Sequence, residues 1–282
     1  QVFPAPASIN GAVWQAIAAS TAIIIVTIIN VLGTKGGGGL QVVGTALKVG
    51  GVLTLIALPF AVGGGGVSNL SPWAIPADYH GSLFSAAMVA MVGVLWAYDG
   101  WMNVTPLAEE IRDPGRNIPR ALIVGMSGLV AIYLAMTLAY HYVLPMATVA
   151  AAHDASSAKI ADAVAAVYCK ALLGANGVLA ISALVMCSTF ISLNGNALTG
   201  PRSYFAMARD GLLPAWFDRI HPRFQTPSNA IIAQAVWAIT LTVAGTVLIL
   251  TPPPRESSGL PQFVASAWET LHHKHLYDVL LD

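Results

Sequence analysis

Two charged side chains stand where an apolar environment tolerates them poorly, and both are placed to do chemistry. Asp99 lies in Trp96-Ala97-Tyr98-Asp99-Gly100-Trp101, in the middle of a segment otherwise fit to cross a bilayer. Lys48 lies inside a second apolar run, TALKVGGVLTLIALPF. An uninterrupted lipid-facing helix has no use for an acid beside a glycine. Irregular backbone at membrane depth survives only where protein or a water-filled cavity satisfies its polar groups. A hydrophobic helix broken in this way is the best sequence pointer to a solute site within a membrane protein.

Each residue has a plain reading beside the chemical one. Asp99 can cap the second half of the broken helix, satisfying freed N–H groups at the positive end of the dipole. It can equally face a cavity, taking a proton or meeting a cation, and the two roles are compatible. Lys48 near a helix centre costs about 2.5–3.5 kcal/mol on insertion scales. Snorkelling to the nearer membrane face would relieve that cost; the alternative is a fixed ammonium holding two helices together as a sodium ion would. Trp96, Tyr98 and Trp101 read either as gates over the cavity or as core aromatics.

Other polar groupings carry less. Glu109, Glu110, Arg112, Asp113 and Arg116 form a charge cluster of the kind that usually makes a solvated face. His272, His273 and His275 lack partners at ligand-like spacing, so no metal is expected. The glycine runs are followed by neither GKS/GKT nor GxGxxG, and no Ser/His/Asp grouping, HExxH or paired intramembrane carboxylate argues for an enzyme or a cofactor. Cys169 and Cys187 form no CxxC motif, disulfide framework or zinc site.

The elements that must position Asp99 and Lys48 are membrane helices. Of the 282 residues, 56% are hydrophobic and 9% charged, against about 25% charged in soluble domains. With zero formal net charge and no basic tract, nucleic acid is excluded as a partner. The apolar runs predict an all-α polytopic membrane protein of about six spans, near 12–32, 41–62, 82–110 (broken near 96–101), 120–143, 176–199 and 229–250. The glycine run at 36–39 is expected to turn the chain between the first two. Residues 160–173 repeat apolar positions at helical spacing and predict an extracytoplasmic surface helix.

Charge orients the spans. With the loop after the first span cytoplasmic, the inner faces hold Lys35, Arg112, Arg116, Arg120, Arg202, Arg209, Arg219 and Arg223, and the outer faces hold Lys159, Lys170, Arg255 and Lys274. That asymmetry runs in the direction of the positive-inside rule. Gln1 is no initiator, no signal peptide is visible, and the chain stops at Asp282 where a further segment is due, so a fragment is expected.

Three stretches together resemble the amino acid–polyamine–organocation superfamily, in its bacterial and L-type amino acid permease branch. They are WAYDGWMNVTPLAEEIRDPGRNIPRAL, then STFISLNGNALTGPRSYFAMARDGLLP followed by IHPRFQTPSNAI, and LQVVGTALKVGG. The resemblance covers roughly residues 15–282. It implies a LeuT-like fold of inverted repeats, of which these spans are the fourth to ninth helices, with the first three and the tenth outside the chain.

What it implies for function is secondary transport of amino acids across the cell (inner) membrane by alternating access, driven by a proton gradient or by exchange. Carbonyls freed around Trp96, Ala97 and Tyr98 would receive the substrate's ammonium group, with Asp99, Gly100 and Trp101 completing the site and Trp96 as the aromatic gate. Lys48 matches a lysine that replaces a sodium ion, with Ser188 and Thr189 as its candidate partners. Asp99 departs from a glycine found in many L-type members. The alternative is a non-transporting relative that senses a ligand.

Overall fold

The computed structural model describes residues 9–70, 82–149 and 164–250, and these are helical almost throughout. Helix α1 (Gly11–Val31) starts at Asn10, whose side-chain oxygen accepts from the Ala12 N–H at 2.9 Å. Its last turn is tied off from far away in sequence: the buried Thr226 hydroxyl donates to the Val31 carbonyl at 2.9 Å.

Helix α2 (Thr34–Val62) contains the glycine run at 36–39 that the sequence led us to expect as a turn. The turn is made by Gly33 alone, at φ +147°. Glycine is tolerated in membrane helices because it lets backbones approach closely, and α2 uses it in that way. Gly37, Gly44 and Gly51 recur every seven residues and meet Leu198, Ile191 and Leu184, spaced by seven in the opposite direction on the facing helix α6 (Ala175–Arg209). This is an antiparallel pair in which glycines are the holes and aliphatic side chains the knobs.

A methyl group on Gly44 would overlap three carbons of the buried Ile191, not merely its tip. Overpacking of this kind costs about 1–3 kcal/mol. Gly44→Ala should lower the thermal midpoint in detergent by several degrees, and Gly44→Leu should block folding. An unchanged midpoint for the alanine variant would show that the two helices separate freely.

A proline inside α2 is used in the same economical way. Pro59 has no N–H to close on the carbonyl of Leu55, four residues back, and the Tyr168 hydroxyl donates to that carbonyl at 2.7 Å. Tyr168 belongs to α5 (Val164–Leu173), which packs with α4 (Pro114–Val143) and α6 around Met136, Ala139, Cys169 and Ile181. Burial pushes the Tyr168 phenol up to about 12 and raises the Cys169 thiol as well.

The remaining elements bear on the site. Helix α3 (Leu83–Ala97) is followed by a turn at 98–100 and a 3-10 helix over Trp101–Glu110. Helix α4 begins at Pro114, six residues before the expected start, because proline at N1 has its φ preset for a helix. A further 3-10 turn, Ala215–Asp218, leads to α7 (Ser228–Leu250). Helix α1 lies against α7 and α6, α2 against α6, and the 3-10 segment 101–110 against α6 and α4.

Among the described residues, α1, α2, α4, α6 and α7 are long and apolar enough to cross a membrane. Val42, Phe84, Val124 and Trp237 are among the large apolar side chains left on the outside, as a hydrocarbon solvent permits. The histidines 272, 273 and 275 lie outside the described residues, with the rest of the tail over 251–282.

Candidate functional site

Helix α3 is 15 residues long, about 22 Å at the α-helical rise and too short for a hydrocarbon core of about 30 Å. Its end is abrupt. The Tyr98 N–H bonds the Leu95 carbonyl at 3.2 Å, Gly100 takes φ +94°, and the Asn103 N–H bonds the Gly100 carbonyl at 3.0 Å. An uninterrupted α-helix would bring the Trp101 N–H onto the Ala97 carbonyl. Here the Tyr133 hydroxyl of α4 points at that oxygen from 3.4 Å, a long and weak contact. The Tyr133 ring meets Tyr98 edge to face, with centroids 5.3 Å apart.

Gly100, not Asp99, occupies the N-cap position of the 3-10 segment, and no side chain bonds there. Asp99 is exposed, as are Ala97 and Trp101, and Tyr98 is half-buried. The structure therefore gathers Ala97, Tyr98, Asp99, Gly100 and Trp101 around the break and adds Tyr133. A tyrosine within an apolar span was the available signal for that addition.

Lys48 sits on the face of α2 turned towards α6, and its Nζ donates to the Ser192 Oγ at 2.8 Å. Ser188 and Thr189 are not its partners. The Thr189 hydroxyl is turned back onto the Val185 carbonyl of its own helix at 2.9 Å, which removes its proton from any other role. Ser192 is one helical turn beyond Ser188 on the same face, so the expectation found the helix and face but missed the turn.

Beside this pair lies a buried polar hub that the sequence reading passed over. Asn30 Nδ2 donates to the Val26 carbonyl and to Asn194 Oδ1, both at 2.9 Å. Asn194 Nδ2 in turn donates to the Gly37 carbonyl and to Gln41 Oε1, both at 3.0 Å. Asn30 and Asn194 are almost wholly buried, and among the described residues Asn30 Oδ1 has no hydrogen-bond partner. It faces the Cα of Gly37, where a side chain would collide with it. The hub joins α1, α2 and α6 at one point.

Gln41 leads from the hub into a cavity of about 380 Å³, lined by Gln41 and Lys48 of α2, Asn103, Val104 and Leu107 of the 3-10 segment, and Ser192, Gly195, Asn196, Leu198 and Thr199 of α6. The cavity thus connects the Lys48–Ser192 pair with the stretch that immediately follows the break. Among the described residues, no group of three or more His, Cys, Asp or Glu is arranged to hold a metal.

Long apolar helices, one interrupted beside a polar cavity, define a multi-pass membrane protein of the permease class. The sequence profile described as "amino acid permease" matches residues 2–253, and the chain belongs to that family, whose members here are transporters rather than enzymes. It is 29% identical over 222 residues to the serine/threonine exchanger SteT of Bacillus subtilis (strain 168), covering 78% of this chain and 47% of that protein. It is 31% identical over 234 residues to the vacuolar cationic amino acid transporter 4 of Arabidopsis thaliana, covering 79% and 35%. With the b(0,+)-type amino acid transporter 1 of Mus musculus it shares 28% over 233 residues, covering 81% and 45%. The chain spans about half the length of these relatives or less.

Proposed function

We propose that this chain contributes to secondary active transport of amino acids by alternating access, with the substrate's ammonium group held by the carbonyls around Trp96, Ala97 and Tyr98. The observation that carries this reading is the Ala97 carbonyl: freed from its helix, it meets, among the described residues, a distant hydroxyl alone. A backbone oxygen at such a break is a ready partner for a cation. Asp99, Gly100 and Trp101 complete the edge of the site, and Trp96 matches the family's aromatic gate in sequence. Lys48, bound to Ser192, takes the place of a sodium ion between α2 and α6. Coupling is then to protons or to exchange with a second amino acid, and a relative named as an exchanger supports the latter. The eight basic residues on one side of the spans support a cytoplasmic position for that side.

The test is uptake of radiolabelled amino acids into proteoliposomes containing the product of the intact gene. Saturable uptake, accelerated by amino acid preloaded inside or by an imposed proton gradient, is the expected result. If amino acids raise the thermal midpoint yet none crosses the bilayer, the protein is a ligand-sensing relative.

Tyr133 gives the reading a finer edge, because its hydroxyl and the substrate's ammonium are both donors to the same oxygen. Tyr133→Phe keeps the ring against Tyr98 and removes the competitor. A hydrogen bond nets about 0.5–1.5 kcal/mol, and this long one belongs at the lower end. The variant should therefore lower KM about two- to threefold, while analogues lacking the α-amino group show no change.

A further inference from the structure

The amide hub between α1, α2 and α6 has a direction. Each asparagine NH2 group carries two N–H donors, and both amides use both. Asn30 gives one to the Val26 carbonyl of its own helix and one to Asn194 Oδ1. That second bond decides which way the Asn194 amide faces. Its NH2 group is turned to α2, giving one N–H to the Gly37 carbonyl and one to Gln41 Oε1. Reversing the Asn194 amide would set its oxygen against the Gly37 carbonyl. Asn194 is 0% and Asn30 2% exposed, so the chain of bonds lies inside the packing of α1, α2 and α6.

Packing alone holds the start of α2 loosely. Gly36 to Gly39 present four successive residues without side chains, and Leu198 seats less closely at Gly37 than Ile191 does at Gly44. Gly33, at the N-cap, has no side chain with which to cap the helix. A glycine surface is smooth, whereas a hydrogen bond is directional. Fixing register is the best-attested use of a buried amide in a helix seam.

What this register serves is found two turns further along α2. The seam pairs Gly37 with Leu198, Gly44 with Ile191 and Gly51 with Leu184. In that antiparallel setting Gln41 is level with Asn194, and Lys48 is level with Cys187. Ser192 lies five residues away from Cys187, about 7.5 Å at the helical rise. Side chains lean towards the N-terminus of their helix, which is the direction Lys48 must take. It still needs most of its extended length to bring Nζ to the Ser192 Oγ at 2.8 Å. A bond made at full stretch has little slack, and a small shift of α2 away from the hub breaks it.

We infer that Asn194, oriented by Asn30, is a positioning residue: by holding α2 at Gly37 and Gln41 it keeps the Lys48 ammonium within reach of Ser192. Gln41 and Lys48 are seven residues apart on one face of a continuous helix, so the constraint passes between them through rigid backbone. The consequence for uptake rests on the transport reading; the geometry does not.

Two measurements on the intact gene product test the two parts separately. The first is the rate of Lys48 acylation by acetic anhydride in detergent at fixed pH, followed by peptide mass spectrometry, with the exposed Lys170 as internal reference. Asn194→Leu and Asn30→Leu are expected to speed Lys48 acylation at least threefold and to leave Lys170 unchanged. Gln41→Met, at a half-buried position, removes one acceptor alone and covers the case in which an asparagine variant fails to fold; a rise of about twofold is expected. The second is a double-mutant cycle on uptake in proteoliposomes. Asn194→Leu should lower Vmax at least fivefold with KM changed less than twofold, yet alter uptake less than twofold in a Lys48→Met background. Faster Lys48 acylation in a protein that moves no amino acid would defeat the transport reading and uphold the positioning. Unchanged acylation in every folded variant, or equal losses of uptake in the two backgrounds, overturns the inference and leaves the hub as packing.

Discussion

Lys48→Met is expected to cut amino acid uptake by roughly ten- to a hundredfold while leaving the protein at least as thermally stable as the wild type. The two halves of that expectation have different origins. A hydrogen bond from a charged donor contributes about 1.5–3 kcal/mol, and if the Lys48–Ser192 bond (2.8 Å) is made in only one of two transport states, its loss carries over into rate at about 1.4 kcal/mol per tenfold. Stability runs the other way. An ammonium within a membrane helix costs about 2.5–3.5 kcal/mol at the centre, and less here because Lys48 is only half-buried and opens onto a polar cavity. Methionine fills a similar length without that cost, and the orphaned Ser192 hydroxyl remains exposed to whatever enters the cavity. Lys48→Arg is the control: its planar fork cannot reproduce a single point contact, so it should not restore uptake. The measurements are initial uptake rates and thermal midpoints on the same preparations. A variant that loses both together would reduce Lys48 to a structural brace.

Much of this arrangement was legible in the sequence because the membrane makes polarity expensive. Lys48, Asp99 and Gly100 stand out against apolar runs, and five of the six expected runs coincide with helices long and apolar enough to cross a bilayer, the broken run over 82–110 being the exception. What the sequence hid follows from relations between helices. Ser192 is indistinguishable from Ser188 until the register of α6 against α2 is known, and that register is set by Gly37, Gly44 and Gly51 seating Leu198, Ile191 and Leu184. The run at 36–39 misled for a related reason: a run of glycine means a turn in water, whereas here it stays helical and Gly37 within it is a close contact between helices. Asn30 and Asn194 were passed over because a single amide in a span is unremarkable alone, and their meaning lies in one bonding the other across 164 positions of sequence. Tyr133 is the same case: the oxygen it meets is exposed only because a different helix ends.

Gly100→Leu is expected to abolish substrate binding by closing the break from within the chain. Gly100 lies at φ +94°, where a side chain costs about 1–2 kcal/mol. Space is not the obstacle, because a Cβ there would rest at an ordinary 3.5 Å from Asn103 Nδ2. The penalty is purely conformational, and leucine carries a second bias, being about 0.8–1 kcal/mol better than glycine in a helix. Together these favour a segment in which α3 continues and the Trp101 N–H closes on the Ala97 carbonyl. The carbonyl that would receive the ammonium is then occupied by the backbone itself, and Tyr133 loses its acceptor as well. A combined bias of about 2–3 kcal/mol corresponds to a population shift of roughly thirty- to a hundred-and-fifty-fold. Amino acids should therefore no longer raise the thermal midpoint of Gly100→Leu, and uptake should fall at least tenfold. Gly100→Asn separates geometry from size, because asparagine visits the left-handed region far more readily than leucine, and it should retain most of the activity. Full uptake by the leucine variant would mean that the conformation at Gly100 is incidental, and the ammonium site would have to be sought elsewhere than at the carbonyls of residues 96–98.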